Sequence, residues 1–226
     1  NALLVGVGGS GKQSLTRLAA YVGGHHIFQI QLTKTYGLNS LMDDFRALYK
    51  LCGQQCKRAT FLFTEAEIKD ENFLEILNSF LMTGEIANLF PKDELQIMAA
   101  DLRPLALKHP DYVDSPEFMV RFFIETVRAN LHMVLCFSPV NPKFPERARK
   151  FPGLISGCTI DWFLAWPLEA LVAVSRGFIG DMEIIGTPEV KAEIVNHMGA
   201  VHGLVIAACE DYKKKMRRHV YQTPKS

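Results

Sequence analysis

The run Val5-Gly6-Val7-Gly8-Gly9-Ser10-Gly11-Lys12 places glycines and a lysine at the spacing Gly-x-x-x-x-Gly-Lys. Such a spacing between a strand and a helix makes a phosphate-binding loop. Glycines let main-chain N–H groups converge on phosphate oxygens, and a helix start adds partial positive charge. Lys12 adds a full charge near the terminal phosphates. The contacts are expected from Gly6, Gly8, Gly9, Ser10, Gly11, Lys12, Gln13 and Ser14. The residue after the lysine is the informative one. Ser or Thr there holds Mg²⁺ through its hydroxyl, and this chain has Gln13. Gln13 offers a carbonyl oxygen on a longer stem. Ser14 is turned about 100° further round the helix, so its hydroxyl should face elsewhere. Phosphate binding survives such a change more easily than tight metal placement does.

A loop of this kind needs an acid at the end of a neighbouring strand. The candidate is Phe61-Leu62-Phe63-Thr64-Glu65-Ala66-Glu67. With Phe61 to Phe63 as strand, Thr64 stands where a metal-side acid is usual, and Glu65 stands where a carboxylate activates water. A second register pairs Glu65 with Glu67 but leaves Ala66 in the catalytic place. Gln13 and Thr64 would meet at one weak Mg²⁺ position, and both depart from the usual metal-holding types.

The elements that must position these groups can be read from periodicity. Leu3 to Val7 and His25 to Thr33 read as strands, Ala59 to Thr64 and Leu131 to Phe137 as buried strands, and Gly157 to Phe163 as a last strand. Helical stripes run from Gly11 to about Val22, Leu38 to Leu51 and Asn72 to Leu81. Another runs from the cap at Asp114-Ser115-Pro116-Glu117 to about Asn130. Strands alternating with helices imply an α/β fold with a mostly parallel sheet. After Trp166-Pro167 the pattern becomes helical, over 168–179, 188–202 and 204–219. The expected division is a nucleotide-binding α/β domain over 1–166 and a small helical lid over 167–226.

Bulk properties narrow the class. The chain has 226 residues, 48% hydrophobic and 22% charged, with a net charge of +1. That is an ordinary globular mixture with no electrostatic case for nucleic acid or a membrane surface. No unbroken run of about 18 apolar residues stands out, so no span is expected. No signal peptide opens the sequence. Five scattered cysteines suggest free thiols in a reducing compartment. Cys52 and Cys56 lack a second Cys/His pair and read as ordinary thiols. His25 and His26 point to opposite faces of a strand and read as structural. The run from Lys213 to Arg218 reads as a solvated basic face. The first residue is Asn, and Thr223-Pro224 looks like a helix opening, so a piece of a longer chain is expected.

Five ordered segments carry a resemblance over essentially the whole chain: GVGGSGKQSLTRLAA, FLFTEAEIKDENFLE, GEIANLF, LHMVLCFSPV and FPGLISGCTIDWF followed by WP and AL. Together they resemble the fourth AAA+ module of axonemal dynein heavy chains, outer-arm type. The resemblance implies a P-loop NTPase fold of the AAA+ class and one module in a ring of six. The first module of such a ring is the main ATPase. The fourth is an accessory site for ATP or ADP with Mg²⁺, and the microtubule-binding stalk emerges from it. It implies adjacent AAA+ modules of the same heavy chain, other dynein subunits and, through the stalk, a microtubule as partners. The expected location is the cytoskeleton of a cilium or flagellum axoneme. By matching positions, Lys12 contacts phosphates, Glu65 polarises water, and Ser138 stands where a sensor residue feels the terminal phosphate. Ser156-Gly157 stands where an arginine finger for the preceding module would fall, with Arg147 and Arg149 upstream as substitutes. Three other readings stay open: a working ATPase using Glu65, a small P-loop kinase and a structural module with an empty site.

Overall fold

The computed structural model describes residues 1–180, 182, 186–218 and 220. The expected helix opening at Thr223-Pro224 and the expected helix end at His219 lie outside these residues. Contacts divide the chain into two compact units. The first holds 1–5 and 12–162, and the second holds 6–11 and 163–226.

The first unit is built on a sheet. In chain order its elements begin with β1 (Ala2–Gly6), α1 (Lys12–Val22), β2 (His26–Gln29), α2 (Leu38–Tyr49) and β3 (Ala59–Thr64). They continue with α3 (Asn72–Thr83), α4 (Lys92–Ala100), α5 (Arg103–Ala106), α6 (Pro116–Asn130) and β4 (Leu131–Phe137). The last are α7 (Phe144–Lys150), α8 (Gly153–Ser156) and β5 (Thr159–Phe163). The strand order is β2-β3-β4-β1-β5. β2 pairs with β3, β3 with β4 and β4 with β1, all parallel. This is the α/β P-loop architecture expected of an AAA+ domain.

Central position explains the composition of β3. All six of its residues are buried, as a strand covered on both faces requires. Phe61 and Phe63 stack at 5.9 Å, and Phe28 of β2 stacks on Phe61 at 5.6 Å. Leu41, Phe45 and Leu48 of α2 and Phe73, Leu77 and Phe80 of α3 close the core. Helix ends follow local rules. Ser115 accepts a hydrogen bond from the Phe118 amide at 3.1 Å and Pro116 opens α6. Gly84 ends α3 in the left-handed region at φ 76°.

Several boundaries differ from expectation. The strand expected over 25–33 pairs only from His26 to Gln29. Beyond it, Lys69 Nζ donates to the carbonyls of Thr33, Lys34 and Tyr36, and the chain loops out instead. α2 passes into a π turn over Lys50–Gln54. The short helices α4, α5, α7 and α8 were not foreseen, since each is too brief to show a stripe.

In the second unit, α9 spans Leu168–Gly180 and α10 spans Pro188–Met216. The two helices expected over 188–202 and 204–219 are one. Gly203 costs a helix about 1 kcal/mol but does not end it when good helix formers follow. The helices approach closely at Gly199, where a Cβ would lie 2.8 Å from Val172 Cγ2. By length and composition alone α10 is apolar enough to cross a membrane, a property that helices of soluble domains share. Asn196, His197 and His202 interrupt its apolar residues, so it holds no unbroken apolar run of about 18.

Candidate nucleotide site

The glycine loop has the conformation its sequence demands. Gly9 and Gly11 lie at φ 76° and 93°, where a side chain is strained. The Ser10 amide donates to the Val7 carbonyl at 3.4 Å, and the Ser10 carbonyl accepts from Trp166 Nε1 at 3.2 Å. Gly6 has a different reason: a Cβ there would lie 2.7 Å from Phe163 Cβ. Gly8 is exposed, with open space where a Cβ would be.

Lys12 opens α1 directly after the loop. It is 8% exposed and shares the buried stripe of that helix with Thr16 and Ala20. Burial pulls its ammonium below the usual lysine range, while Cys136 and the Glu65 carboxylate act the other way. Thr16 Oγ1 donates to the Lys12 carbonyl at 2.8 Å and fixes this first turn. Gln13 and Ser14 lie on the exposed side of the helix.

Thr64 ends β3, buried, with Cys136 opposite it on β4. The chain then makes a tight 3-10 turn over Glu65–Glu67. Among the described residues, Glu65 Oε1 is the buried side-chain atom without a hydrogen-bonding partner. Such an atom is costly unless something completes it. It is the observation that makes the residues here fit a hydrated metal–nucleotide group. Glu67 differs: it is 5% exposed and its Oε2 accepts from the Thr64 amide at 2.6 Å. Its Oε1 accepts from Gln29 Nε2 at 2.9 Å. Burial pushes the Glu67 carboxyl above the usual range, and these hydrogen bonds oppose that shift. The first unit thus brings Lys12, Thr64 and Glu65 to the carboxyl-end edge of its parallel strands. Open α/β sheets bind their ligands at that edge.

Ser138 follows β4 half-buried, its Oγ accepting from the Val140 amide at 3.4 Å. Arg149 is exposed on α7. Arg147 is 7% exposed, and its Nε and Nη2 both donate to Glu71 Oε1, at 3.1 and 2.8 Å. At Gly157 a Cβ would lie 2.7 Å from the Gly153 carbonyl and 3.0 Å from Leu81 Cβ. Any side chain there must move backbone. Gly157→Ala is expected to destabilise the α3–α8 contact by about 1–3 kcal/mol, seen as faster amide hydrogen exchange in both helices of the full-length chain.

Sequence reasoning did not find Glu67 and Gln29 as a unit, nor Thr16 and Cys136 beside Lys12. One signal was present: Thr64-x-x-Glu67 is a capping-box pattern. The Cys136 neighbourhood depends on strand register, which no local pattern carries. Burial pushes the Cys136 thiol up to about 11 and that of Cys52 up to about 12. His25 stacks on His132 at 5.2 Å with Nδ1 3.1 Å from Thr60 Oγ1, away from the carboxyl ends of the strands.

A parallel sheet with a glycine loop after β1 and an acidic turn after β3 defines a P-loop nucleotide-binding domain. Residues 1–226 match the family described as the P-loop containing dynein motor region D4, and the chain belongs to that family. It is 52% identical over 227 residues to dynein axonemal heavy chain 5 of Mus musculus. It is 51% identical over 230 residues to dynein axonemal heavy chain 8 of Homo sapiens. Both alignments cover 100% of this chain and 5% of the relative. It is 49% identical over 226 residues to the dynein gamma chain, flagellar outer arm, of Chlamydomonas reinhardtii, covering 99% of this chain and 5% of the relative. The chain therefore spans about a twentieth of the length of these relatives.

Proposed function

We propose that this chain is an accessory ATP-binding module of an axonemal dynein heavy chain, acting as a binding and relay element with slow or no hydrolysis. It works beside adjacent AAA+ modules of the same chain and other dynein subunits, in the axoneme of a cilium or flagellum. Its coupling is to a microtubule through a stalk outside these residues. The observation that carries the reading is the pairing of a buried Lys12 with the orphaned Glu65 Oε1.

The main chain of the glycine loop donates to phosphate oxygens, and Lys12 adds its charge to them. Mg²⁺, when bound, neutralises phosphate charge and orients the terminal phosphate. Gln13 is exposed and offers a neutral carbonyl, and Thr64 offers a neutral hydroxyl, so neither supplies an anionic metal contact. Glu65 holds a carboxylate where water would be activated. Ser138 would sense the terminal phosphate.

A second reading, active hydrolysis, is favoured by the same orphaned oxygen, since a base with an unsatisfied lone pair suits an attacking water. The test is electron microscopy of the full-length motor after prolonged turnover with ATP and Mg²⁺. A triphosphate at this site is expected, unchanged in Glu65→Gln. A diphosphate in the natural chain, replaced by triphosphate in Glu65→Gln, would establish hydrolysis instead. A general base contributes about 10²–10⁴-fold, so the contrast is easily read.

A further inference from the structure

A chain of side chains runs from α1 through β2 to the candidate site, which it meets at the Thr64 amide. Arg17, on α1, donates through Nη2 to Gln29 Oε1 at the end of β2. Gln29 Nε2 donates to Glu67 Oε1 at 2.9 Å, and Glu67 Oε2 accepts from the Thr64 amide at 2.6 Å. The orientation of the Gln29 amide is forced. Arg offers only donors and a carboxylate only acceptors, so the carbonyl must face Arg17 and the NH₂ must face Glu67. Few side chains other than glutamine bridge a cation and an anion at this span. The arrangement is built, and it costs a buried carboxylate.

We propose that Glu67, braced by Gln29 and Arg17, is a positioning residue that aims the Glu65 carboxylate at the bound nucleotide. Glu65 is the first residue of the turn. Thr64, directly before it, and Glu67, two residues after it, are tied to each other by the 2.6 Å bond. The Ile68 amide closes the turn on the Glu65 carbonyl at 3.2 Å, and the Lys69 amide bonds the Glu67 carbonyl at 3.0 Å. Glu65 therefore has little backbone freedom, and its direction is set by the carboxylate two residues further on in the same turn. The same chain ends on α1, the helix that Lys12 opens. Lys12 and Glu65 are thus held relative to one another through Arg17, Gln29 and Glu67. A pair of hydrogen bonds to an ionised group is strong enough to hold such a turn.

This inference rests on the reading that Glu65 faces nucleotide here. The experiment is a double-mutant cycle in the full-length heavy chain. Occupancy of this site is read by electron microscopy across a titration of ADP against an ATP analogue with a non-hydrolysable β–γ bridge. Glu65→Gln sets the reference shift in the triphosphate-to-diphosphate preference. Glu67→Gln keeps the size and leaves one acceptor where two are used. It is expected to shift the preference in the same direction by about 3- to 10-fold, the worth of one ordinary hydrogen bond. In the Glu65→Gln background it should add nothing further. Gln29→Leu, which leaves the Glu67–Thr64 bond intact, should give a smaller shift of the same sign. An equal shift in both backgrounds would make Glu67 a merely structural residue, and no shift in either single variant would also overturn the proposal. Lys12→Ala serves as the separate control: if it leaves the affinity for both nucleotides unchanged, the nucleotide reading itself has failed.

Discussion

Lys12→Ala is expected to weaken nucleotide binding at this site by about 100-fold, the loss of two charge-assisted contacts at about 1.5 kcal/mol each. The measurement is site occupancy in the full-length heavy chain across an ATP titration. Unchanged affinity would remove the phosphate-loop reading. Loss of fold does not offer a competing explanation. Lys12 is 8% exposed and burial already holds its ammonium below the ordinary lysine range. An apolar residue relieves that cost, so Lys12→Met should fold at least as well while binding equally poorly. The pH dependence has a definite sign. A base whose folded pKa is depressed binds its proton less tightly folded than unfolded. Its contribution to stability therefore rises as pH climbs from that depressed value towards the ordinary 10.5. Lys12→Met should abolish this rise, and a bound phosphate should reduce it by restoring the charged form.

How much could be read beforehand depended on whether a feature was local. The glycine loop, Lys12 and the all-buried β3 announce themselves in short windows, because spacing and apolar runs are local signals. Glu65 was legible for the same reason, as the acid after a buried strand. Glu67 was weighed only as a rival in a shifted register. Its place at the site follows from contacts to Thr64 three residues back and to Gln29 on another strand. The shortened β2 is a similar case. Residues 30–33 have strand-like types, but Lys69 from a distant turn takes the carbonyls of Thr33, Lys34 and Tyr36. The single long α10 shows the converse error, where an interior glycine looked like a break. Propensity yields to tertiary context in each case.

Glu71→Ala is expected to destabilise the junction of α7 with the start of α3 by about 1–3 kcal/mol. Removing one member of a buried ion pair costs about 3–5 kcal/mol. The Glu71 side chain is 39% exposed, so water compensates part of this loss and the lower range applies. Arg147 has no such relief. Its side chain is 8% exposed, in a crevice shared with Leu3, Phe137, Phe144 and Leu154. Alanine at 71 strands the guanidinium there, whereas Arg147→Met leaves Glu71 able to turn to water and should be close to neutral. Amide hydrogen exchange over α3 and α7 in the full-length chain measures both. The asymmetry also bears on whether Arg147 serves a neighbouring module. A guanidinium that must first leave Glu71 and its apolar crevice is poorly placed to reach another module's phosphates. Arg147→Met should leave the ATPase of the preceding module unchanged. A fall of about 10³-fold or more, the worth of an arginine finger, would instead show that the pair with Glu71 opens during the cycle and that Arg147 works in trans.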